Sequence, residues 1–540
     1  MATMSTFTIV APLTLLALAL VFVPTLIRFI GKAVGWNVRG RTQSRRSLLL
    51  ARARTEESDG AEGANRIPKL DEEWEKASAS RGGRNVEDWD GVIGFFHPFC
   101  NAGGGGERVL WAAIRATQER WPRALCVVYT GDHDVDKSTI LANVKDRFNI
   151  DLHAPRVCFL YLSCRDYVLA STWPRFTLLG QSLGSILLAW DAFNLVVPDI
   201  FIDTMGYGFT LAFSKFLFPT VPTGAYVHYP TISTDMLSTL DDEISGRGVN
   251  AGLGKGWKGI IKRQYWRLFA WLYSWVGGQV DVVMTNSSWT QNHIKQLWGA
   301  KRERNNRRSE IEVVFPPTAV EELEQQVEVS EASEKLRKPN VLYIAQFRPE
   351  KNHQMIIKAF AAFMRDHGTA LKDDDAPRLV LVGSVRDDAD KMLVYKLRVL
   401  AREEGVADHV DFVINAKWSE ILHLLRTSSV GVNGMWNEHF GIGVVEYQAA
   451  GLASVVNDSG GPKLDIVVPI DGIPTGFHAS TDLQYAAGFA KVLEMPPEDV
   501  LPLREAARKS AKRFTEDVFK QAWNRQTEKM IRLEVQMNKD

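Results

Sequence analysis

The sequence predicts an α/β protein built from two Rossmann-like domains that face each other across a cleft. Three observations predict it. Short apolar, β-branched runs alternate with helix-length segments over residues 91–99, 124–131, 156–162, 195–204, 223–229 and 281–286, and again over 340–346, 378–384, 409–414, 429–433 and 453–457. That alternation is the pattern of a parallel sheet wrapped by helices. The double proline Pro316-Pro317 and the acidic, Lys-punctuated stretch 320–338 separate the two series. A length of 540 residues also exceeds what one hydrophobic core serves. The expected divisions are a membrane anchor at 1–33, a polar linker at 34–88, a first domain at 89–316, and a second domain at 317–540 that ends in a helical tail.

The anchor is read from charge. No charged residue occurs before Arg28, and residues 7–27 are long enough to span a bilayer as a transmembrane helix. Pro12 and Pro24 would bend such a helix without forbidding it. A cleaved signal peptide would carry positive charge before the apolar run, whereas Arg28, Lys32, Arg39, Arg41, Arg45 and Arg46 come after it. By the positive-inside rule the rest of the chain then faces the cytosol. The stretch 40–88, polar and poor in aromatics, reads as a tether.

Composition excludes some classes. With 64 basic and 64 acidic residues the formal net charge is zero, so no nucleic-acid footprint covers the surface. Four cysteines without a CxxC pair read as free thiols in a reducing compartment, Cys126 and Cys158 inside buried strands.

The chemistry concentrates in a few motifs. Asn437-Glu438-His439-Phe440-Gly441-Ile442-Gly443-Val444-Val445-Glu446 sets two carboxylates eight positions apart around a tight strand-to-helix turn. The backbone N–H groups of Phe440, Gly441 and Ile442 would lie between them. Carboxylates accept from sugar hydroxyls and free N–H groups meet anionic oxygens, so the pattern suits a hydroxyl-rich ligand with an anionic tail. A solvated acidic pair around an ordinary turn is the plainer reading. Gly103, Gly104, Gly105 and Gly106 stand between a strand and a helix, where they let backbone approach a ligand; the spacing is neither a P-loop nor a GxGxxG fingerprint. Arg348 and Lys351, in Gln346-Phe347-Arg348-Pro349-Glu350-Lys351-Asn352, would offer cations to a diphosphate; no metal-ligand cluster is present to do so, and no metal is expected. His228 ends a strand at the cleft, as a site residue or a satisfied core histidine. In residues 257–276, Ile261, Tyr265, Leu268, Leu272 and Trp275 follow helical spacing beside Lys258, Lys262, Arg263 and Arg267. That suits a membrane interface or a buried core helix equally. The Gly-rich stretch before it, 244–256, reads as a mobile lid.

Together these residues resemble the retaining glycosyltransferases of the GT-B fold, family four. The likeness is closer still to the dolichol-linked α-1,2-mannosyltransferases of asparagine-linked glycosylation. It runs through Phe96-His97-Pro98-Phe99-Cys100-Asn101-Ala102-Gly103-Gly104-Gly105-Gly106-Glu107-Arg108-Val109-Leu110-Trp111, through residues 226–237 and 345–353, and through 437–467. The resemblance implies an enzyme at the cytosolic face of the endoplasmic-reticulum membrane. It would add two α-1,2-linked mannoses from GDP-mannose to a dolichyl-diphosphate-linked trimannosyl chitobiose oligosaccharide, with no cofactor, alongside other mannosyltransferases of the pathway. The first domain would then take the acceptor and the second the donor. The resemblance assigns Glu438 to the donor sugar, Glu446 to the ribose, Lys351 to the diphosphate and the N–H groups of 440–442 to the sugar or phosphate. It faces Gly103–Gly106 to the donor phosphates and sets His228 beside the reacting carbon. His97, Tyr229 and Thr231 become acceptor-side candidates. One position departs from the family pattern: Gln346 stands where a second cation is usual, which leaves Arg348 as its substitute. A transferase with a different nucleotide or lipid acceptor, and a non-enzymatic scaffold, are the alternative readings.

Overall fold

A computed structural model describes residues 2–61, 85–233, 235–236, 256–307, 309–367 and 376–538. Its first sheet contains β1 (Val92–Phe96), β2 (Leu125–Thr130), β3 (Val157–Tyr161), β4 (Ile200–Asp203), β5 (Thr223–Val227), β6 (Val282–Thr285) and β7 (Ile311–Val313), in the spatial order β3-β2-β1-β4-β5-β6-β7. The second contains β8 (Lys338–Ile344), β9 (Arg378–Gly383), β10 (Val410–Ile414), β11 (Ser428–Asn433), β12 (Ala453–Asn457) and β13 (Gly476–Ala479), in the order β10-β9-β8-β11-β12-β13. Every pairing within these sheets is parallel. A parallel sheet covered by helices on both faces needs strands that are apolar throughout. Val-Ile-Gly-Phe-Phe of β1 is accordingly buried at every position.

Strand order reverses between β1 and β4 in the first sheet and between β8 and β11 in the second. In open α/β sheets such switch points leave a crevice at the strands' carboxyl ends. The tetraglycine follows β1, the Lys351 turn follows β8, and Glu438 follows β11, so the topology delivers all three to crevices.

The helices around the cleft and the first domain include α1 (Ala2–Ala61), α2 (Gly105–Arg120), α3 (Thr177–Leu195), α4 (Gly208–Leu217), α5 (Gly256–Gly277), α6 (Ile442–Ala449) of the second domain and α7 (Glu516–Met537). The expected linker over 34–88 does not hold through residue 61, where α1 continues as helix. Its charges are not solvated as a tether's would be. The Arg45 guanidinium donates to the carbonyls of Asn194 (3.0 Å) and Leu195 (2.8 Å) at the end of α3, where a cation meets the unpaired carbonyls and negative pole of a helix. Arg46 pairs with Asp199 at 2.6 Å, and Arg156 donates to Glu57 at 2.7 Å. Val38 and Ala53 are buried beneath them. Residues 62–84 lie outside the described residues, as does the expected lid at 244–256 up to residue 255.

Most of the expected transmembrane segment belongs to α1, but the side chains of residues 2–22 are not described. Among the described residues no helix is long and apolar enough to cross a membrane, so that part of the fold expectation gains no support here. The four cysteines are free; Cys100 and Cys126 are buried, whereas Cys158, expected in a core, is half-buried.

The helical tail, grouped by sequence with the second domain, packs on the first. Phe519, Trp523, Met530 and Ile531 of α7 join the core around β1 and α2. The Trp523 indole N–H donates to the Thr117 hydroxyl at 3.0 Å and its ring lies 6.2 Å from Phe95. The chain therefore crosses between domains twice. Trp523→Ala would leave a large cavity; it is expected to cost about 3–5 kcal/mol in chemical denaturation of the first domain.

Candidate active site

The site is built on the loop that joins β11 to α6. Asn437 (φ 52°) and Gly441 (φ 107°) both take left-handed backbone, and the second is a conformation that favours glycine. The loop after β12 cradles this turn. The Gly461 N–H donates to the Glu438 carbonyl at 2.8 Å and the Ser459 hydroxyl accepts the Asn437 N–H at 2.7 Å. A Cβ on Gly460 would stand 2.3 Å from the Glu438 carbonyl oxygen, so only glycine permits this approach.

The Glu438 carboxylate accepts from Lys351 Nζ at 2.5 Å and from Asn433 Nδ2 at 3.3 Å. Burial alone would push its carboxyl up; the adjacent Lys351 ammonium, with His439 and Asn433, outweighs that and holds it below the usual carboxylate range. Lys351 is placed by the short turn Pro349–Lys351 after β8, whose last carbonyl accepts the Tyr343 hydroxyl at 2.6 Å. Arg348 does not share this pair: its guanidinium lies 3.8 Å from Glu350. Glu446 is half-buried on α6. Burial raises its carboxyl to about 7 against a modest opposing pull from Arg108 on α2 of the other domain. Phe440 presents only backbone to the cleft, because its ring packs against Phe315 and Phe514.

From the first domain the tetraglycine comes close. A Cβ on Gly105 would stand 2.8 Å from Ile442 Cδ1, and one on Gly106 3.8 Å from His228 Nε2. Gly103 takes φ 81°, and the Gly104 N–H donates to Glu107 at 2.8 Å. Three motifs distant in sequence thus meet. His228 Nε2–H donates to the Thr204 carbonyl at 3.1 Å, and His97 Nδ1 lies 2.8 Å from the Thr204 hydroxyl. Burial lowers His228 to about 4 and His97 to about 3, so both imidazoles are neutral at pH 7. Thr231 is half-buried, its hydroxyl 3.4 Å from the Gly206 carbonyl. Tyr229 stacks on His439 of the second domain at 4.1 Å.

Sequence reasoning missed the rest of that interdomain contact. Trp289 lies 5.5 Å from His439, and Asp235 accepts from Asn437 Nδ2 at 2.7 Å while standing 3.4 Å from His293. Asp235 and Asn437 are 202 positions apart. The available signal was weak: Trp289 and His293 open the helix after β6, at the strand end that faces the cleft. Among the described residues no group of three or more His, Cys, Asp or Glu could hold a metal ion.

Comparison with known proteins places this architecture. The model of the ALG11 mannosyltransferase N-terminus matches residues 90–298, and that of glycosyl transferases group 1 matches 325–514. A GDP-Man:Man(3)GlcNAc(2)-PP-Dol alpha-1,2-mannosyltransferase from Neurospora crassa is 58% identical over 97% of this chain and 97% of its own. The chain belongs to the GDP-Man:Man(3)GlcNAc(2)-PP-Dol alpha-1,2-mannosyltransferase family. The human member is 44% identical over 84% of this chain and 89% of its own. An alpha,alpha-trehalose 6-phosphate synthase from Burkholderia multivorans superposes with a TM-score of 0.56 over 81% of this chain and 98% of its own; at 13% identity it shows the shared GT-B fold alone. This mannosyltransferase is thus a GT-B glycosyltransferase whose two sheets present loops to one cleft.

Glu446 offers a pH test. Its carboxyl rises from an ordinary 4.5 to about 7 in the fold. A carboxyl so raised favours the folded state when protonated: the contribution is fully present below pH 4.5 and is lost as pH rises through about 7. Glu446→Gln is therefore expected to flatten the fall in thermal stability across that window, measured on ligand-free protein.

Proposed function

We propose that this chain transfers two α-1,2-linked mannoses, with retention, from GDP-mannose to the dolichyl-diphosphate-linked trimannosyl chitobiose oligosaccharide. The observation that carries the reading is the ionised Glu438 paired with Lys351, at the second sheet's switch point and on the turn whose Ile442 meets the tetraglycine. A carboxylate kept charged in a buried site is a strong acceptor for mannose hydroxyls. The ammonium beside it supplies positive charge to a departing diphosphate. The N–H groups at 440–442, at the start of α6, add the positive pole of a helix. Glu446 takes the ribose hydroxyls, and Arg348 turns from Glu350 to the outer phosphate. Gly103–Gly106 let the phosphates approach α2. Neutral His228 borders the reacting carbon, and His97, Tyr229 and Thr231 define the acceptor side.

The acceptor hydroxyl approaches on the face that the leaving group departs, and the leaving phosphate takes its proton. Charge stabilisation by Lys351, Arg348 and the helix start makes a divalent metal unnecessary. Closure of the two domains around both substrates supplies much of the rest, as positioning accounts for up to roughly 7–11 kcal/mol in favourable cases. The apolar run 7–27 anchors the chain in the endoplasmic-reticulum membrane. The basic residues after it keep both domains on the cytosolic face.

A transfer assay tests this, with GDP-mannose, a short-lipid diphosphate trimannosyl acceptor and EDTA. Two α-1,2-linked mannoses are expected from the wild type. Glu438→Ala and Lys351→Ala are each expected to lose roughly 100- to 1,000-fold in turnover. Rescue of an EDTA-silenced enzyme by manganese would overturn metal independence, and inhibition by UDP equal to that by GDP would overturn the donor.

A further inference from the structure

Both neighbours of Glu438 reach out of their own domain. Asn437, before it, donates its side-chain amide to Asp235 of the first domain at 2.7 Å. His439, after it, stacks on Tyr229 of the same domain with ring centroids 4.1 Å apart. The partner is placed just as closely on the other side, because Tyr229 follows His228 in the chain. One stack therefore joins the residue next to the donor-side carboxylate with the residue next to the histidine at the acceptor side.

The surroundings hold that stack in place. Trp289 lies nearly parallel to both rings, 5.5 Å from His439 and 6.0 Å from Tyr229, and is only 7% exposed. His293 sits against the Trp289 ring at 4.2 Å and stands 3.4 Å from Asp235, which closes the circuit back to Asn437. Burial lowers His439 to about 4, so at pH 7 it stacks as a neutral ring. Two attachments, one on each side of Glu438, oppose rotation of the turn against the first domain as well as translation. Within the second domain the turn is already stiff: the Gly461 N–H holds the Glu438 carbonyl at 2.8 Å and Ser459 holds the Asn437 N–H at 2.7 Å. A stiff turn carries the docking of its flanks to Glu438 itself.

The proposed chemistry makes no use of His439, Asn437 or Asp235. Transfer from a donor held by one domain to an acceptor held by the other nevertheless depends on how the two are aligned, and a misplacement of about 1 Å can cost on the order of 100-fold in rate. We propose that the His439–Tyr229 stack, backed by Trp289 and paired with the Asn437–Asp235 bond, is a register clamp that aligns the sugar held by Glu438 with the acceptor hydroxyl beside His228. His439 and Asn437 are then positioning residues that touch neither substrate. The proposal rests on the proposed reaction for the identity of the sugar and the acceptor.

The test uses the full chain, GDP-mannose and the short-lipid diphosphate trimannosyl acceptor. His439→Ala is expected to lower kcat about 10- to 100-fold. GDP affinity is expected to stay within about twofold, because the lost alignment acts on transfer and not on donor binding. His439→Phe, which keeps a ring, is expected to recover most of the loss, and Asp235→Ala to reproduce part of it. Tyr229→Ala combined with His439→Ala is expected to cost little more than His439→Ala alone, since both break one contact. Hydrogen exchange adds a readout independent of turnover. His439→Ala is expected to speed amide exchange over residues 226–233 of the first domain and to leave residues 519–531 unchanged. Unchanged exchange over 226–233 means that the rings do not meet in solution, and overturns the clamp. A GDP affinity that falls as far as kcat means that the turn itself has collapsed, and overturns it too. So does a loss in His439→Phe equal to that in His439→Ala, which would make the imidazole a chemical group. In each of these cases mannose transfer by the wild type leaves the proposed reaction standing; a wild type that transfers none removes both.

Discussion

The structure turns on one negative charge largely withdrawn from water, that of Glu438. An ionised carboxylate taken out of water costs several kcal/mol unless it is paired and hydrogen-bonded. Glu438 meets that condition with a cation from a different loop, Lys351, and an amide from its own strand end, Asn433. The pairing is possible because β8 and β11 are neighbours, so both loops leave the same edge of the sheet side by side. It also demands that the Glu438 backbone be held still, which the close approach of Gly460 and Gly461 achieves. Strand order, a glycine pair and a lysine turn are thus parts of one constraint.

That constraint separates two glutamates of the same motif. Glu438 is held ionised by a direct lysine contact, whereas Glu446, further along α6, is raised to about 7 with only a distant guanidinium to oppose its burial. Pairs of like groups pushed apart by their surroundings mark sites where each has its own task. The guanidinium belongs to Arg108, which is itself held 3.0 Å from Glu516 at the start of α7. One side chain therefore connects the glutamate on α6 with the point where the chain returns to the first domain.

What the sequence made legible was local. The tetraglycine, the turn around Glu438 and the Lys351 loop are each encoded in a few adjacent residues, and strand alternation placed them at carboxyl ends. What it hid was pairing at a distance. Asp235 with Asn437, and Trp289 with His439, meet only because two sheets face each other. The first half of the polar stretch reads as a tether because arginines and glutamates usually signal solvent. Here Arg45 finishes a helix and Glu57 answers Arg156, roles visible only once α3 and β3 are in place. The strand β13 carries no strand signal, because Gly-Phe-His-Ala lacks a β-branched run and pairs on one side only. Arg348 shows the reverse error: a cation expected at the cleft rests beside Glu350.

Among the described residues, the contacts across the cleft include stacked rings, a side-chain hydrogen bond between Asn437 and Asp235, and a bond from the Ser288 N–H to Asp465 at 2.8 Å. Aromatic pairs contribute about 0.5–1.5 kcal/mol and ordinary hydrogen bonds about the same. The two passages of chain between domains, by contrast, are anchored by full cores, with α7 buried through Trp523 and Ile531. Strong attachment at the crossings and weak attachment at the cleft favour a hinge over a rigid body. A cleft closed this lightly reopens at modest cost, on the microsecond-to-millisecond scale of domain motions. An enzyme that must release a spent nucleotide after each transfer needs that balance: a site rigid enough to keep Glu438 charged, mounted on domains free to part.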